Sequence, residues 1–261
     1  MEFLKLIVIK KILKKIIPKK ILQIRKDFSK RREDKKFAKM QINEIFEEIY
    51  RKKLWTPENE KENNNFYSGI GSHYEEFTRI YIDKIKEFLL SFSQKPSVVD
   101  LGCGDFSIGS KLRKFCDQYI AVDIFKELIE TNKQNFRDTN VDFRTLDITK
   151  DQLPSGDVCF MRQVLQHLSN FHIQRFLKLM SGKYKYLVVT EHLPDKVGNF
   201  FPNIDKVTGP DIRIDNNSGV ILTEPPFNLK VFDIKNVCNI YPKKIAGFEG
   251  FLNTTILQLL K

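Results

Sequence analysis

Val98-Val99-Asp100-Leu101-Gly102-Cys103-Gly104-Asp105 reads as the end of a β-strand running into a glycine turn, and 107–116 continues with helical character. Strand, glycine turn and helix start together form a nucleotide-type binding loop. Glycine lets the backbone approach a ligand without a Cβ clash, and a helix N-terminus supplies free N–H groups and the positive end of a dipole. Outward from this loop, apolar runs at 97–101, 119–124, 141–146, 157–161 and 185–190 read as strands, with helices at 126–136 and 170–181 between them. Strands alternating with helices predict a doubly wound, mostly parallel α/β sheet covered on both faces. Upstream, 73–92 predicts a helix that turns Phe77, Ile80, Tyr81, Ile85, Phe88 and Leu89 to a core. Downstream, 229–234 and 254–260 leave room for an antiparallel pair at the sheet edge.

Acids at the strand ends narrow the ligand. A dinucleotide site places pyrophosphate at the helix N-terminus and usually spends three glycines on it. Here a third glycine is missing at the expected offset, and Asp100 precedes the turn. A carboxylate there would repel pyrophosphate and suits the ammonium of a methionine moiety. The second strand ends in Asp123, 21 residues beyond Gly102, where an acid can accept hydrogen bonds from both ribose hydroxyls. The third ends at Leu146-Asp147-Ile148, where an acid and an apolar neighbour can flank an adenine ring. Three acids at three successive strand ends, in register with the loop, point to S-adenosylmethionine rather than NAD.

The segments D-L-G-C-G, Y-I-A-V-D-I and F-R-T-L-D-I resemble the successive motifs of the class I, Rossmann-like methyltransferases over about residues 66–260. The resemblance implies a seven-stranded sheet with a reversed last strand. It also implies cofactor contacts at Asp100, Gly102, Gly104, Asp123, Ile124, Asp147 and Ile148. A narrower likeness, carried by Trp55, Ser68-Gly69-Ile70-Gly71-Ser72, Asp105-Phe106 and Arg162-Gln163-Val164-Leu165-Gln166-His167-Leu168, is to a bacterial subgroup linked with surface-polysaccharide biosynthesis. It adds Ser68, Gly69, Gly71, Asp105 and Arg162 to the expected cofactor site, with the glycine pair closing over the methionine end.

Candidates for the chemistry follow the fourth and fifth strands, whose carboxyl ends line the ligand crevice of an open α/β sheet. His167 is placed to take a proton from a sugar hydroxyl as a neutral imidazole, and Glu191-His192 is a second pair at the same edge. Methyl transfer leaves much of the catalysis to positioning, and no metal is expected. The N/D-P-P-Y/F turn of amino-group methylation is not found after the fourth strand, which reads Phe160-Met161-Arg162-Gln163. Glu224-Pro225-Pro226-Phe227 lies far downstream and reads as a loop near the acceptor pocket. A Cys-Pro pair for pyrimidine carbons is also absent. The stretch 194–226, with Asn203, Asp205, Asp211, Arg213, Asp215, Asn216, Asn217 and Ser218, reads as an acceptor-side insertion suited to carbohydrate hydroxyls.

The 261 residues carry a net charge of +11. Residues 1–54 hold 18 Lys and Arg against 7 Asp and Glu, so the remaining 207 residues are neutral. The expected division is a basic helical extension over 1–54 and a methyltransferase domain over 55–261. Within the extension Leu6, Ile9, Leu13, Ile16 and Ile17 form an apolar stripe among lysines, closed by Pro18, the pattern of an interfacial anchor or a partner-binding helix. Lys10 and Lys11 interrupt the apolar start, no small-residue cleavage site follows, and no run nears the ~20 apolar residues of a membrane span. Cys103, Cys116, Cys159 and Cys238 lack metal-ligand spacing and read as reduced thiols of a cytosolic protein. The leading expectation is O-methylation of a bacterial surface glycan or its lipid-linked precursor by a cytoplasmic enzyme held at an anionic inner membrane through residues 1–20. The competing readings are an RNA methyltransferase with a basic arm, and a methyltransferase-like fold that partners an enzyme without catalysing.

Overall fold

The structure is a computed structural model that describes residues 19–62, 66–195, 198, 200–242 and 248–260, with side chains from Phe28 onward. The chain divides into two compact units, the first ending at Met40 and the second spanning Gln41–Lys261. In the first, helix α1 spans Lys19–Phe37, and Lys35 and Lys36 complement the negative end of its dipole. The apolar stripe from Leu6 to Ile17 lies outside the described residues, as does most of the expected anchor. No described helix is long and apolar enough to cross a membrane.

The second unit begins upstream of the division that charge alone draws. Helix α2, Ile42–Arg51, is grouped by composition with the basic extension, yet its Ile45, Phe46, Ile49 and Tyr50 are buried within this unit. Gln41 and Glu44 form a capping box at its start. The predicted 73–92 helix is α4 (Glu75–Leu90), preceded by a short helix α3 (Ile70–His73) from which the extended Tyr74 separates it.

The sheet has seven strands: β1 (Val98–Leu101), β2 (Tyr119–Asp123), β3 (Asp142–Thr145), β4 (Val158–Arg162), β5 (Tyr186–Leu193), β6 (Val231–Ile240) and β7 (Phe251–Leu259). Their order is β3-β2-β1-β4-β5-β7-β6. Strands β1 to β5 pair in parallel, while β7 is antiparallel to both β5 and β6, so the last strand runs reversed as expected. The β1 residues are all buried, as befits a central strand covered on both faces. Helices α5 (Gly109–Leu112), α6 (Lys126–Asn135) and α7 (Asn170–Met180) complete the domain. The main core joins Phe77, Tyr81, Ile85 and Leu89 of α4 to Val98, Tyr119, Phe160, Val188 and Ile256 of the sheet. Because parallel strands end on one edge, the turns after β1, β2, β4 and β5 converge there.

Candidate active site

Those turns enclose a cleft of about 470 Å³, within the ~300–1,000 Å³ of small-molecule sites. Its floor is Gly102, Cys103, Gly104 and Asp123. Gly102 and Cys103 both donate from their backbone N–H to the Val122 carbonyl. Gly102 has φ +79°, and a Cβ there would lie 2.4 Å from Val164 Cγ2. Gly104 has φ +56°, and a Cβ there would lie 2.3 Å from Ser68 Oγ. The glycines therefore admit neighbouring parts of the protein as well as a ligand.

Asp123 is buried at the cleft floor and accepts from Gly104 N–H at 3.0 Å and from Phe125 N–H at 3.1 Å. Burial raises its pKa to about 6 against these bonds. Each oxygen keeps a further acceptor position, which suits a vicinal diol. Ser68, Gly69, Ile70, Gly71 and Ser72 roof the same cleft. Arg162, at the end of β4, ties that roof to the sheet. Its guanidinium donates to Gly71 O at 2.6 Å, Gln163 Oε1 at 3.1 Å and Ser72 Oγ at 3.3 Å, and lies over the Tyr81 ring. Its Nε is buried without a partner among the described residues.

Several expected contacts do not open on this cleft. Asp100 is 8% exposed, accepts from Tyr119 Oη at 2.8 Å, and faces a 30 Å³ cavity that it shares with Arg162. Burial raises its pKa to about 7, and it does not line the larger cleft. Asp105 accepts from Ser68 N–H at 3.1 Å, from Ser107 N–H at 3.1 Å and pairs with His73 Nε2 at 2.6 Å, so its carboxylate ties the roof to the glycine loop. Ile124 and Asp147 line a separate 490 Å³ cleft with Arg51 and Phe125, and Asp147 is bonded to Thr149. Ile148 is buried and lines neither cleft. Tyr50 lines the first cleft, Phe125 the second, and their stacked rings, 5.2 Å apart, separate the two.

At the other end the cleft is lined by Trp55, Gln166, His167, His192, Pro210, Asp211, Ile212, Asp215 and Phe248. Both expected histidines meet here. His167 packs on Trp55, centroids 4.6 Å apart, and burial depresses its pKa to about 3. His192 stacks on Phe248 at 4.2 Å and is likewise lowered by burial. Glu191 does not join them. Side chains alternate along a strand, so Glu191 points to the opposite face of β5, is 2% exposed, and lines a 120 Å³ cavity with Val189, Thr255 and Leu257. Its carboxyl oxygens lack hydrogen-bond partners among the described residues, and burial raises its pKa to about 8 against the pull of the Arg213 charge.

Of the described residues within 194–226, only Pro210, Asp211, Ile212 and Asp215 reach the cleft. Arg213, 1% exposed, instead donates to the carbonyls of Leu165, Gln166, Leu168 and Ile204 and to Asn170 Oδ1. The Glu224-Pro225-Pro226-Phe227 turn is held by Asn203 Nδ2 and lies away from the cleft lining, contrary to expectation. Tyr50 carries no motif, so nothing in the sequence marked it, while Arg213, read among the polar residues of an acceptor-side loop, is buried on backbone carbonyls instead. Among the described residues no group of three or more His, Cys, Asp or Glu could hold a metal ion.

Residues 98–185 match a family model described as a methyltransferase domain. The seven-stranded sheet with its reversed last strand is the fold of the class I methyltransferases. The solved structures like it are distant in sequence. NodS of Bradyrhizobium japonicum, an N-methyltransferase solved with S-adenosyl-L-homocysteine, has a TM-score of 0.54 at 14% identity, covering 77% of this chain and 95% of its own. The magnesium protoporphyrin IX methyltransferase of Synechocystis PCC 6803, solved with S-adenosylmethionine, gives 0.52 at 11% over 83% and 97%. A methyltransferase of Leishmania major gives 0.51 at 16% over 73% and 76%. No curated protein sequence matches the chain. The residues that would hold S-adenosylmethionine in this cleft are the Gly102–Gly104 floor, Asp123, whose oxygens suit the ribose, and the orphaned Arg162 Nε beside the Gly69–Ser72 roof.

Proposed function

We propose that this S-adenosylmethionine-dependent methyltransferase O-methylates a sugar hydroxyl of a bacterial surface glycan or its lipid-linked precursor. The supporting observation is the lining of the acceptor end: two aromatic rings, two neutral imidazoles and two aspartates. The apolar C–H face of a sugar packs on rings such as Trp55 and Phe248, while carboxylates and imidazoles accept from its hydroxyls. A phosphodiester chain asks for cations. Among the described cleft residues Arg162 is the only Lys or Arg, and its guanidinium is engaged by Gly71, Ser72 and Gln163. This lining disfavours RNA as the acceptor.

When bound, S-adenosylmethionine supplies an activated methyl group on sulfur. The chain's own contribution is to hold the acceptor oxygen in line with it and keep water out. Trp55 Nε1 donates to Pro210 O at 3.2 Å, which joins the two sides of the acceptor end. Residues 1–20, with their lysines and apolar stripe, would bring the enzyme to an anionic membrane that carries lipid-linked substrate.

The test is transfer of labelled methyl from S-adenosylmethionine to lipid-linked and free bacterial glycan fractions, with total RNA alongside. Label in a base-stable sugar methyl ether supports the proposal, and label in RNA overturns it. Removing residues 1–20 should release the protein from anionic liposomes while cofactor binding stays intact. Unchanged liposome binding would sink the anchor.

A further inference from the structure

Gln166 touches both histidines of the acceptor end. Its Oε1 accepts from the backbone N–H of His192 at 3.2 Å. That bond fixes the amide, because the reverse orientation would set an NH₂ group against an N–H. Gln166 Nε2 therefore donates to His167 Nε2, 3.2 Å away. His167 must accept at Nε2, so as a neutral imidazole it carries its proton on Nδ1. Nδ1 is buried, beside the backbone of Gly209, Pro210 and Asp211. Gln166 thus occupies the one lone pair of the neutral His167 ring, and the Nδ1–H is buried without a hydrogen-bond partner among the described residues.

His192 has the opposite arrangement. Its Nε2 lies 2.5 Å from Glu249 O, and a carbonyl only accepts, so Nε2 carries the proton. The lone pair is left on Nδ1, which has no hydrogen-bond partner among the described residues. Phe248 stacks on one face of the ring, and the residue lines the cleft.

We infer that His192, through Nδ1, is the proton acceptor of the methyl-transfer step, and that Gln166 is a positioning residue that keeps His167 out of that role. The inference rests on the proposed hydroxyl acceptor. As the hydroxyl oxygen forms its bond to the methyl carbon, the carbon–sulfur bond breaks and its electron pair stays on sulfur. The hydroxyl O–H bond breaks, and its proton bonds to His192 Nδ1 to give an imidazolium stabilised by the Glu249 carbonyl. That proton then passes to solvent. The depressed basicity of His192 keeps it neutral and ready to accept at pH 7. The titratable and charged groups that share this end are His167, Asp211 and Asp215 from the cleft wall and Glu249 beside the ring.

Two-bond ¹H–¹⁵N correlation on the full-length protein without cofactor reads the tautomers directly. At pH 7 His192 should appear as neutral Nε2–H and His167 as neutral Nδ1–H. A His192 that is protonated, or carries its proton on Nδ1, overturns the inference. A second arm follows labelled transfer to methyl hexopyranosides. His192→Asn should lower kcat about 100-fold or more, in the range of a lost general base, with S-adenosyl-L-homocysteine affinity within about twofold. Gln166→Glu keeps an oxygen for the His192 N–H but presents an acceptor to His167 Nε2, and should flip the His167 tautomer in the same spectra. Unchanged kcat in His192→Asn overturns the base assignment. Transfer to none of the glycosides, with the tautomers as stated, overturns the sugar acceptor and leaves the tautomer assignment standing.

Discussion

Ser68 and Asp105 exchange hydrogen bonds: Ser68 N–H donates to Asp105 Oδ2 at 3.1 Å, and Asp105 N–H donates to Ser68 Oγ at 2.7 Å. The roof of the cofactor cleft is fastened in this way to the residue that follows Gly104.

The clasp should govern cofactor affinity without governing the fold. Burial pushes the Asp105 carboxyl up, but the His73 hydrogen bond and charge outweigh it and hold the pKa below the usual carboxylate range. A depressed carboxylate contributes its stabilisation above its unfolded pKa of ~3.9 and loses it as pH falls through the folded value. Asp105→Ala should weaken S-adenosyl-L-homocysteine binding about tenfold, or ~1.4 kcal/mol, with the circular dichroism unchanged. Titration calorimetry showing wild-type affinity would mean that the roof closes without the clasp.

Buried carboxyls set a stability slope of opposite sign. Burial raises Asp123, Asp100 and Glu191 to about 6, 7 and 8. A raised pKa gives stability that is complete below the unfolded value of ~4 and is lost as pH rises through the folded one. The cofactor-free protein should therefore melt at lower temperature at pH 8.5 than at pH 5.5. Glu191→Gln removes the highest of the three without changing shape and should raise Tm at pH 8.5 by about 5 °C. It should leave cofactor binding alone, since Glu191 faces away from the cleft. A melting curve set with the wild-type pH slope in this variant contradicts the account.

Gly102 is constrained in two separable ways. Its φ of +79° disfavours any side chain, and Val164 Cγ2 would lie 2.4 Å from its Cβ. Gly102→Ala should cost about 2–4 kcal/mol, from the left-handed backbone and the overpacking together. Adding Val164→Ala should recover only the steric part. Full recovery by chemical denaturation would show that backbone conformation carries no cost here.

Arg213 holds the turn that presents Gln166 and His167. Four carbonyls and the Asn170 side chain accept from it. Arg213→Met should destabilise the domain by about 3 kcal/mol or more, because buried acceptors are left unmet. Arg213→Lys should recover little, since one compact ammonium cannot reach carbonyls spread from Leu165 to Ile204. Denaturant midpoints near wild type for the lysine variant would show that charge alone suffices.

Much of this architecture is legible before any coordinates. The apolar runs at 97–101, 119–124, 141–146 and 157–161 locate β1 to β4 within a residue or two, because buried parallel strands are continuous apolar stretches. The antiparallel pair for which 229–234 and 254–260 leave room is found as β6 and β7, and the reversed last strand is the one the family resemblance implies. Less of the site is legible. Asp123, Gly102, Gly104, Gly69, Gly71, Ser68, Arg162, His167 and His192 meet in one cleft as their motifs suggest. Asp100 and Asp105, from the same glycine stretch, turn to Tyr119, His73 and the Ser68 backbone instead.

By itself the sequence determined the order of strands and helices, the glycine turn and the acid at the end of β2. These are local or periodic properties, set by burial pattern and backbone freedom. Only the tertiary structure decided which histidine keeps a free lone pair. His167 and His192 look alike on the chain, but hydrogen bonds from Gln166 and to Glu249, residues on different loops, give them opposite tautomers. It also decided that Glu191 and His192 part company, since adjacent residues of a strand face opposite sides of the sheet.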